Sequence, residues 1–193
     1  MTNLYFVRHS QPDEGWENDR MRPLTPEGSA DSEKVTDFFR NICVNSFLSS
    51  PYRRSIDTIQ GTAHDHQMDI ETDERLRERT SGLGGGNLEV FQKRWSDFAF
   101  HESGGESLKM VQQRNMEAVL EILDRHKNEK VVIGTHGTAL STILNYYEPS
   151  FGCENFLRII DFMPYIIRLD FNGTDYAGRE ELLVVSKGFK AGG

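Results

Sequence analysis

Two short apolar runs that stop abruptly at polar residues constrain the fold of this chain most strongly. Residues 4–7 are followed at once by Arg8 and His9, and residues 130–135 are followed by His136. Short runs rich in β-branched and aromatic residues predict buried strands. Segments with apolar residues at helical spacing come between such runs. This alternation of strands and helices predicts an α/β fold in which most strands run parallel.

The same patterns give the order of the predicted elements. Strands are predicted at residues 4–7, 44–48, 68–71, 130–135, 156–162, 165–171 and 182–186, and helices are predicted to start at about residues 25, 52, 88, 107 and 139. We therefore expect a three-layer α/β/α sandwich with a mostly parallel central sheet. A chain of 193 residues is expected to form a single domain over residues 1–193, with a small insertion around residues 80–103.

The composition argues against several classes of protein. The chain has 30 acidic and 22 basic residues, a net charge of −8, which argues against a general nucleic-acid-binding protein. No apolar run approaches the ~20 residues of a membrane-spanning helix, so no membrane partner is expected. Cys43 and Cys153 fall in no metal-binding spacing and are predicted to be reduced thiols of a cytoplasmic protein. The sequence carries no signal for an oligomeric state.

The loops after three predicted strands carry polar residues that suit one site. Arg8 and His9 follow the first strand, Arg54 follows the second, and His136 follows the strand at residues 130–135. Parallel strands end at the same edge of a sheet, and ligands of open α/β folds bind at that edge. We therefore expect these four side chains to meet in one pocket.

Two histidines and two arginines in one pocket favour phosphate chemistry. His9 and His136 could ligate a metal ion, but adjacent guanidinium groups would repel a divalent cation and attract an oxyanion. No G-x-S-x-G motif indicates a serine hydrolase. Arginine binds phosphoryl oxygens through paired hydrogen bonds, and a neutral imidazole beside cations is a competent nucleophile toward phosphorus. A nearby carboxylic acid would protonate the leaving alkoxide and later activate water.

Several short motifs, in order along the chain, resemble the histidine phosphatase superfamily, which has the phosphoglycerate mutase-like fold. They are Arg-His at residues 8–9, LTPEG at 24–28, SPYRRSIDT at 50–58, LRERTSG at 76–82, GES at 105–107 and His-Gly at 136–137. The resemblance extends from residue 4 to about residue 138. It implies a phosphoglycerate mutase-like sandwich in which the insertion at residues 80–103 faces the substrate. It also implies that no metal or organic cofactor is needed.

Carried over by motif, the resemblance implies a role for each of five catalytic residues. His9 would be the nucleophile that becomes phosphorylated, while Arg8 and Arg54 would hold the phosphoryl oxygens. His136 would donate to those oxygens and stabilise the transition state. Glu78 would be the general acid for the leaving group and then the general base for water.

Two of these assignments have competitors in the sequence. Glu78 lies in a run of alternating charges, and Asp73 and Glu74 are nearby alternatives. Arg53 competes with Arg54, although the spacing within the motif favours Arg54.

Further residues are predicted to bind the substrate. They are Ser10, Gln11, Arg53, Arg79, Gly137 and Thr138. Ser10 stands where the family usually has glycine, so its Cβ atom is expected to narrow the approach to the phosphate.

The sequence as a whole predicts a metal-independent phosphomonoesterase that acts on a small phosphorylated metabolite through a phosphohistidine. One alternative is a mutase, which returns the phosphoryl group to its substrate, although mutases of this family usually have longer chains. Another is a module of the same fold that binds a phosphorylated ligand or a protein without turnover. The presence of all five catalytic residues argues against the second alternative.

Overall fold

A sheet of six strands forms the centre of the molecule. The computed structural model of the protein describes residues 1–83 and 85–188. The strands are β1 (Thr2–Arg8), β2 (Ser46–Ser49), β3 (Ile70–Thr72), β4 (Lys130–Thr135), β5 (Phe162–Asn172) and β6 (Asp175–Ser186). Their order is β3-β2-β4-β1-β5-β6, in which the first four are parallel to one another. β5 runs antiparallel to β1, and β6 runs antiparallel to β5.

Helices cover both faces of this sheet. They are α1 (Pro26–Phe39), α2 (Arg53–Asp65), α3 (Leu88–Ser96), α4 (Leu108–Arg125), α5 (Gly137–Tyr147) and α6 (Cys153–Ile159), with short 3-10 turns at Asp19–Met21 and Glu74–Leu76. α1 and α2 pack on one face, whereas α4, α5 and α6 pack on the other, with α3 against α6. The predicted three-layer α/β/α sandwich with a mostly parallel sheet is therefore confirmed.

The side chains of β1 contribute to the core on both faces of the sheet. Leu4 and Phe6 pack with the layer of α4 and α5, while Tyr5 and Val7 pack with α1 and α2. None of the four is more than 5% exposed. Burial of a large apolar side chain stabilises the fold by about 1.5–3 kcal/mol. This burial fixes the point at which the strand ends and the polar loop begins.

The start of α1 is packed against the loop that follows β1. Thr25 caps the helix, because its Oγ1 accepts the backbone N–H of Gly28 at 2.9 Å, and Pro26 occupies the first turn as predicted. A Cβ atom at Gly28 would clash with the carbonyl oxygen of Gln11. Glycine at this position therefore lets the helix pass close to the loop.

The prediction of a strand at residues 156–162 is wrong, because α6 occupies most of this segment. The side chain of Asn155 accepts the backbone N–H of Gly152 at 3.0 Å, which supports the first turn of the helix. Phe156 and Ile159 are three residues apart, lie on one helical face and are both buried in the core. Their helical spacing thus outweighs the strand propensity of this apolar segment.

The last two strands form a hairpin whose turn lies where the Asn172-Gly173 pair predicts it. Gly173 has a positive φ of 64°, a conformation that glycine adopts without strain. The prediction of one domain over residues 1–193 stays a prediction, and its residues 84 and 189–193 lie outside the described chain. None of the helices in the described ranges is both long enough and apolar enough to cross a membrane.

Candidate active site

Four of the predicted catalytic side chains meet at the carboxyl edge of the parallel strands. Arg8 ends β1 and His9 follows it, His136 follows β4, and Arg54 lies in the first turn of α2, after β2. These three strands are neighbours in the sheet. The ring centroids of His9 and His136 are 5.2 Å apart, and Nε of Arg54 lies 3.3 Å from Nε2 of His9. Residues distant in the sequence therefore form a single buried cluster.

Hydrogen bonds fix the tautomer of His9. Its Nδ1 lies 2.8 Å from the carbonyl oxygen of Ser10. Because a carbonyl oxygen can only accept, Nδ1 carries the ring proton and donates it. The lone pair is then on Nε2, which accepts the Nε–H of Arg54. The nucleophilic nitrogen of the ring is thus the one that faces a guanidinium group.

Arg8 is a buried cation beneath the first turn of α5. Its Nη1 donates to the carbonyl oxygen of Ile159. A Cβ atom at Gly137 would lie 3.2 Å from the guanidinium carbon of Arg8. Glycine at this position therefore leaves space for the guanidinium group. Burial lowers the pKa of Arg8 to about 10, although the nearby carboxylate of Glu78 opposes this effect. Arg8 therefore still carries its charge at neutral pH.

His136 is fully buried between β2 and α2. Its Nε2 lies 2.7 Å from Oγ of Ser50, and its ring packs edge to face on Tyr52 with centroids 5.2 Å apart. Its Nδ1 is buried and has no hydrogen-bond partner among the described residues. A buried polar atom in this situation is costly, and an oxygen of a bound ligand would satisfy it.

Asp19 and Tyr52 hold the side chain of Arg54 in place. Nη1 of Arg54 donates to the carbonyl oxygen of Asp19 at 2.7 Å and to its Oδ1 at 3.1 Å. The guanidinium carbon lies 4.9 Å from the ring centroid of Tyr52, which is a cation–π distance. Arg54 therefore lies in a defined position beside the nucleophilic ring.

The carboxylate of Glu78 lies against the N-terminus of α5. Its Oε2 accepts the N–H of Thr138 at 3.1 Å, and its Oε1 accepts the N–H groups of Ala139 at 3.2 Å and Arg79 at 2.8 Å. The partial positive charge of a helix N-terminus attracts the oxygen atoms of this side chain. The predicted acid is thus tied to the helix that begins directly after His136.

The two alternative carboxylates have other partners. Glu74 pairs with Arg20 at the surface. Asp73 accepts the backbone N–H of Arg75 at 2.8 Å and pairs with its guanidinium group. Of the three carboxylates, Glu78 is the one that lines the cleft beside the histidine cluster.

That cleft has a volume of about 450 Å³. The predicted site residues that line it are Arg8, Glu78, Arg79, Gly137 and Thr138. The segment 80–103, which the sequence predicts to be an insertion, contributes Ser81, Phe91 and Arg94 to the lining, and α6 contributes Phe156. The rings of Phe91 and Phe156 are in contact, with centroids 5.4 Å apart. The cleft therefore has a charged end beside Glu78 and an apolar wall.

A buried ion network joins Arg94 and Glu102 to the segment that carries Glu78. Glu102 pairs with both Arg79 and Arg94, and these three side chains are between 5% and 8% exposed. Arg79 also donates to the carbonyl oxygen of Glu106 at 2.8 Å. Burial and the cation of Arg94 both lower the pKa of Arg79.

Ser10, which replaces the family's glycine, is fully buried and contacts α1 and α2. Its backbone N–H donates to Oγ1 of Thr58 at 2.9 Å, and its Oγ lies 3.0 Å from Oγ of Ser32. Both groups of Ser10 that could contact a phosphate already have protein partners. The hydroxyl group contacts Ser32 of α1, and the expected effect of the Cβ atom on the approach to the phosphate stays a prediction.

Two other predicted substrate-binding residues lie away from the cluster. Oε1 of Gln11 is 3.3 Å from Oγ1 of Thr25, at the start of α1. Arg53 is exposed on α2 and pairs with Asp57 at 3.2 Å. Of the adjacent arginines, the structure thus brings Arg54 to His9 and leaves Arg53 at the surface.

Three side chains that contact the site were not predicted from the sequence. Ser50 and Tyr52 belong to the SPYRRSIDT motif, so their position near Arg54 in the sequence could have predicted that they contact the site. Asp19 lies in the polar loop after β1 and belongs to none of the motifs. Its bond to Arg54 spans 35 residues and becomes visible only in the folded chain.

Burial and nearby cations keep both histidines of the cluster neutral. Burial, followed by the charges of Arg54 and Arg8, places the pKa of His9 well below its usual value of 6.5. Burial and the charge of Arg54 have the same effect on the pKa of His136. A neutral ring is the form that can act as a nucleophile.

We expect both rings to remain neutral as the pH is lowered below 6.5. The unfolded chain protonates its histidines near pH 6.5, whereas the folded chain takes up these two protons only at lower pH. The unfolded state then binds more protons, so the free energy of unfolding falls as the pH drops below 6.5. Nitrogen chemical shifts of the two rings and urea midpoints over a pH series measure both effects. Protonation of either ring at or above pH 6.5 would contradict the proposed electrostatics.

No group of three or more His, Cys, Asp or Glu side chains within residues 1–83 and 85–188 is arranged to hold a metal ion. The two histidines of the cluster have guanidinium groups as neighbours rather than carboxylates. The predicted independence from metal ions stays a prediction.

Solved structures with the same architecture cover nearly the whole chain. A mycobacterial glucosyl-3-phosphoglycerate phosphatase matches with a TM-score of 0.75 at 18% identity, over 96% of this chain and 99% of the other. The YhfR protein of Bacillus stearothermophilus matches with a TM-score of 0.75 at 24% identity, over 97% of each chain. Phosphoserine phosphatase from Entamoeba histolytica, in complex with 3-phosphoglyceric acid, matches with a TM-score of 0.77 at 19% identity, over 97% and 98%. At these identities the likeness shows the fold.

The sequence itself identifies the family. No curated protein matches the chain. The model of the histidine phosphatase superfamily (branch 1) matches residues 4–175, which is most of the chain and includes every predicted catalytic residue. This match confirms the resemblance drawn from the motifs, and with it the predicted enzyme class of phosphomonoesterase. The chain belongs to the histidine phosphatase superfamily, branch 1.

Proposed function

We propose that this protein is a metal-independent phosphomonoester hydrolase that acts through a phosphohistidine at Nε2 of His9. One observation carries the proposal most directly. Nε2 holds a lone pair, lies 3.3 Å from Nε of Arg54, and belongs to a buried ring that the surrounding cations keep neutral. This arrangement suits attack on an anionic phosphorus centre rather than metal binding or acyl transfer.

Substrate binding would use the N–H groups that surround His9. The phosphoryl oxygens would accept from Arg8, Arg54 and His136, which together provide two charges and several donors. Charge-assisted bonds of this kind stabilise the extra charge on the equatorial oxygens in the transition state. Nη1 of Arg54 would exchange its bonds to Asp19 for bonds to the phosphate. The Nε–H of Arg54 would turn from Nε2 of His9 to a phosphoryl oxygen, which frees the lone pair of the ring for attack.

Catalysis would then proceed in two displacements. In the first, Nε2 of His9 bonds to phosphorus while the bond to the ester oxygen breaks, and protonated Glu78 gives its proton to the leaving oxygen. In the second, Glu78 takes a proton from water as the water oxygen attacks phosphorus and the bond to Nε2 breaks. The products are an alcohol and inorganic phosphate, and His9 and Glu78 return to their first states.

The proposed substrate is a small phosphorylated metabolite. The cleft of about 450 Å³ has room for a compact molecule, and its lining includes Arg8, Arg79, Phe91 and Phe156. Two proteins of the same fold are named for small phosphorylated substrates, glucosyl-3-phosphoglycerate and phosphoserine. These names support the size and class of the substrate.

A cytoplasmic location and a single domain over residues 1–193 are part of the proposal. Cys43 and Cys153 are free thiols, which agrees with a reducing compartment. All six strands lie in one sheet.

The proposal is tested by phosphate release from an aryl phosphate, phosphoserine and 3-phosphoglycerate, measured with and without excess chelator. We expect release that the chelator does not change. Activity that the chelator abolishes would overturn the metal-independent mechanism. Phosphoryl transfer between phosphoglycerates that outpaces phosphate release would identify a mutase, and binding of these ligands without turnover would identify a binding module.

A further inference from the structure

We propose that Arg114, on α4, is a positioning residue that holds the general acid of the reaction in place. The inference rests on the proposed role of Glu78. Residues 77–80, which carry Glu78, belong to no helix or strand. The backbone of this segment therefore needs partners from elsewhere in the fold.

Arg114 supplies those partners from a single guanidinium group. Its Nη1 donates to the carbonyl oxygens of Arg75 at 2.8 Å and Arg77 at 2.7 Å, and its Nη2 donates to the carbonyl oxygen of Glu78 at 3.1 Å. The three carbonyl groups lie 36 to 39 residues before Arg114 in the chain. One side chain of α4 thus fixes the backbone on the N-terminal side of the acid and at the acid itself.

Glu106, two residues before the start of the same helix, completes the arrangement. Its two carboxylate oxygens accept from Nε and Nη2 of Arg114, both at 2.9 Å. Oε2 also accepts the backbone N–H of Thr80 at 2.9 Å, and Oε1 accepts from Arg77 at 2.7 Å. The pair formed by Arg114 and Glu106 therefore holds the segment on both sides of Glu78.

The carboxylate of Glu106 remains ionised over the working range of an enzyme. Burial alone would raise the pKa of Glu106, but the hydrogen bonds from Arg114 and Thr80 lower that pKa to about 2. The side chains of Arg114 and Glu106 are 12% and 13% exposed, so solvent screens their interaction only in part. The hydrogen-bonded pair of Arg114 and Glu106 is therefore a rigid as well as a charged support for the segment.

The position of Arg114 and Glu106 has a direct consequence for catalysis. A general acid works only within hydrogen-bond reach of the leaving oxygen, and a displacement of roughly 1 Å can cost ~10²-fold in rate. The other anchor of Glu78 is the first turn of α5, which contacts its carboxylate. Arg114 fixes the backbone from which that carboxylate extends, and it is not among the residues that line the cleft.

The test is the leaving-group dependence of kcat/KM in Arg114→Lys and Glu106→Gln, with Arg125→Lys as the matched control. Lysine keeps the charge of Arg114 but cannot bond to three carbonyl groups and a carboxylate together. Arg125 lies on the same helix and forms exposed pairs with Glu71 and Glu121. The substrates are phenyl phosphate, whose leaving group needs a proton, and dinitrophenyl phosphate, whose leaving group does not.

We expect Arg114→Lys and Glu106→Gln to lose about 10-fold or more with phenyl phosphate but less than about 2-fold with dinitrophenyl phosphate. Glu78→Gln should show the same pattern with a larger loss, of roughly 10²-fold. The double variant Glu78→Gln/Arg114→Lys should lose no more than Glu78→Gln alone, because both changes remove the same proton transfer. The control should match the wild type with both substrates.

Each other outcome has a distinct meaning. Equal losses with both substrates, or additive losses in the double variant, would show that Arg114 only stabilises the fold and would overturn the inference. If Glu78→Gln itself shows no leaving-group dependence in an active enzyme, Glu78 is not the acid and the inference falls with that assignment. If the wild type hydrolyses neither ester, the proposed function fails first.

Discussion

Replacement of His9 by alanine is expected to lower kcat/KM for an aryl phosphate by about 10⁵-fold or more, because loss of a covalent nucleophile removes the reaction path and not just one contact. The buried neutral ring, with its lone pair on Nε2, is the group in the cluster that is prepared for attack. Steady-state kinetics measure the loss. A base-quenched reaction with radiolabelled substrate should give a phosphoenzyme for the wild type and none for the variant.

The matched control is His64→Ala, since His64 is 89% exposed on α2 and far less constrained. This variant should retain wild-type kinetics and labelling. Labelling that persists without His9 would point to His136 as the nucleophile and would reverse the proposed roles of the two rings.

Replacement of Arg54 by alanine is expected to lower kcat/KM by roughly 10³-fold, which is the scale for removing a guanidinium group from the transferred phosphoryl group. Loss of Arg54 also leaves the carboxylate of Asp19 without its buried partner. That negative charge would then repel the phosphate dianion. Arg54→Lys should recover only part of the rate, because lysine restores the charge without the forked geometry.

Arg53→Ala provides the control from the adjacent position. Its side chain is exposed and pairs with Asp57, so its removal should change kcat/KM by less than about 2-fold. Inhibition constants for inorganic phosphate should follow the same order as the rates. A larger loss for Arg53→Ala than for Arg54→Ala would mean that the wrong arginine of the pair is assigned to the phosphate.

Local signals were sufficient for the parts of the fold in which pattern and burial agree. Residues 4–7 and 130–135 are short, mostly apolar and followed by polar residues, so the sequence predicts strands there, and the structure has strands at both places. Residues 156–162 are also apolar, but their pattern suits a helix or a strand equally. The hydrogen bond from the backbone N–H of Gly152 to the side chain of Asn155, together with core packing, favours the helix.

The site shows the same division between local and long-range information. The Arg8-His9 and His136-Gly137 pairs mark strand ends, so their convergence follows from the topology. The charges around Glu78 look alike in the sequence, and contacts with α5 distinguish this carboxylate from its neighbours. Bonds such as Asp19 to Arg54 and Arg114 to Glu78 join distant segments and have no local signature.

Asp19 accepts hydrogen bonds from Arg54, so it competes with phosphate for the same guanidinium group. In the proposed mechanism every phosphorylated molecule that binds displaces the same carboxylate, so substrate and product lose the same amount of affinity. Because the affinity for all phosphorylated ligands falls equally, KM and the inhibition constant of phosphate rise together. The activation free energy of phosphoryl transfer from the bound complex is unchanged. An enzyme with this exchange built in releases its product readily and keeps working as inorganic phosphate accumulates.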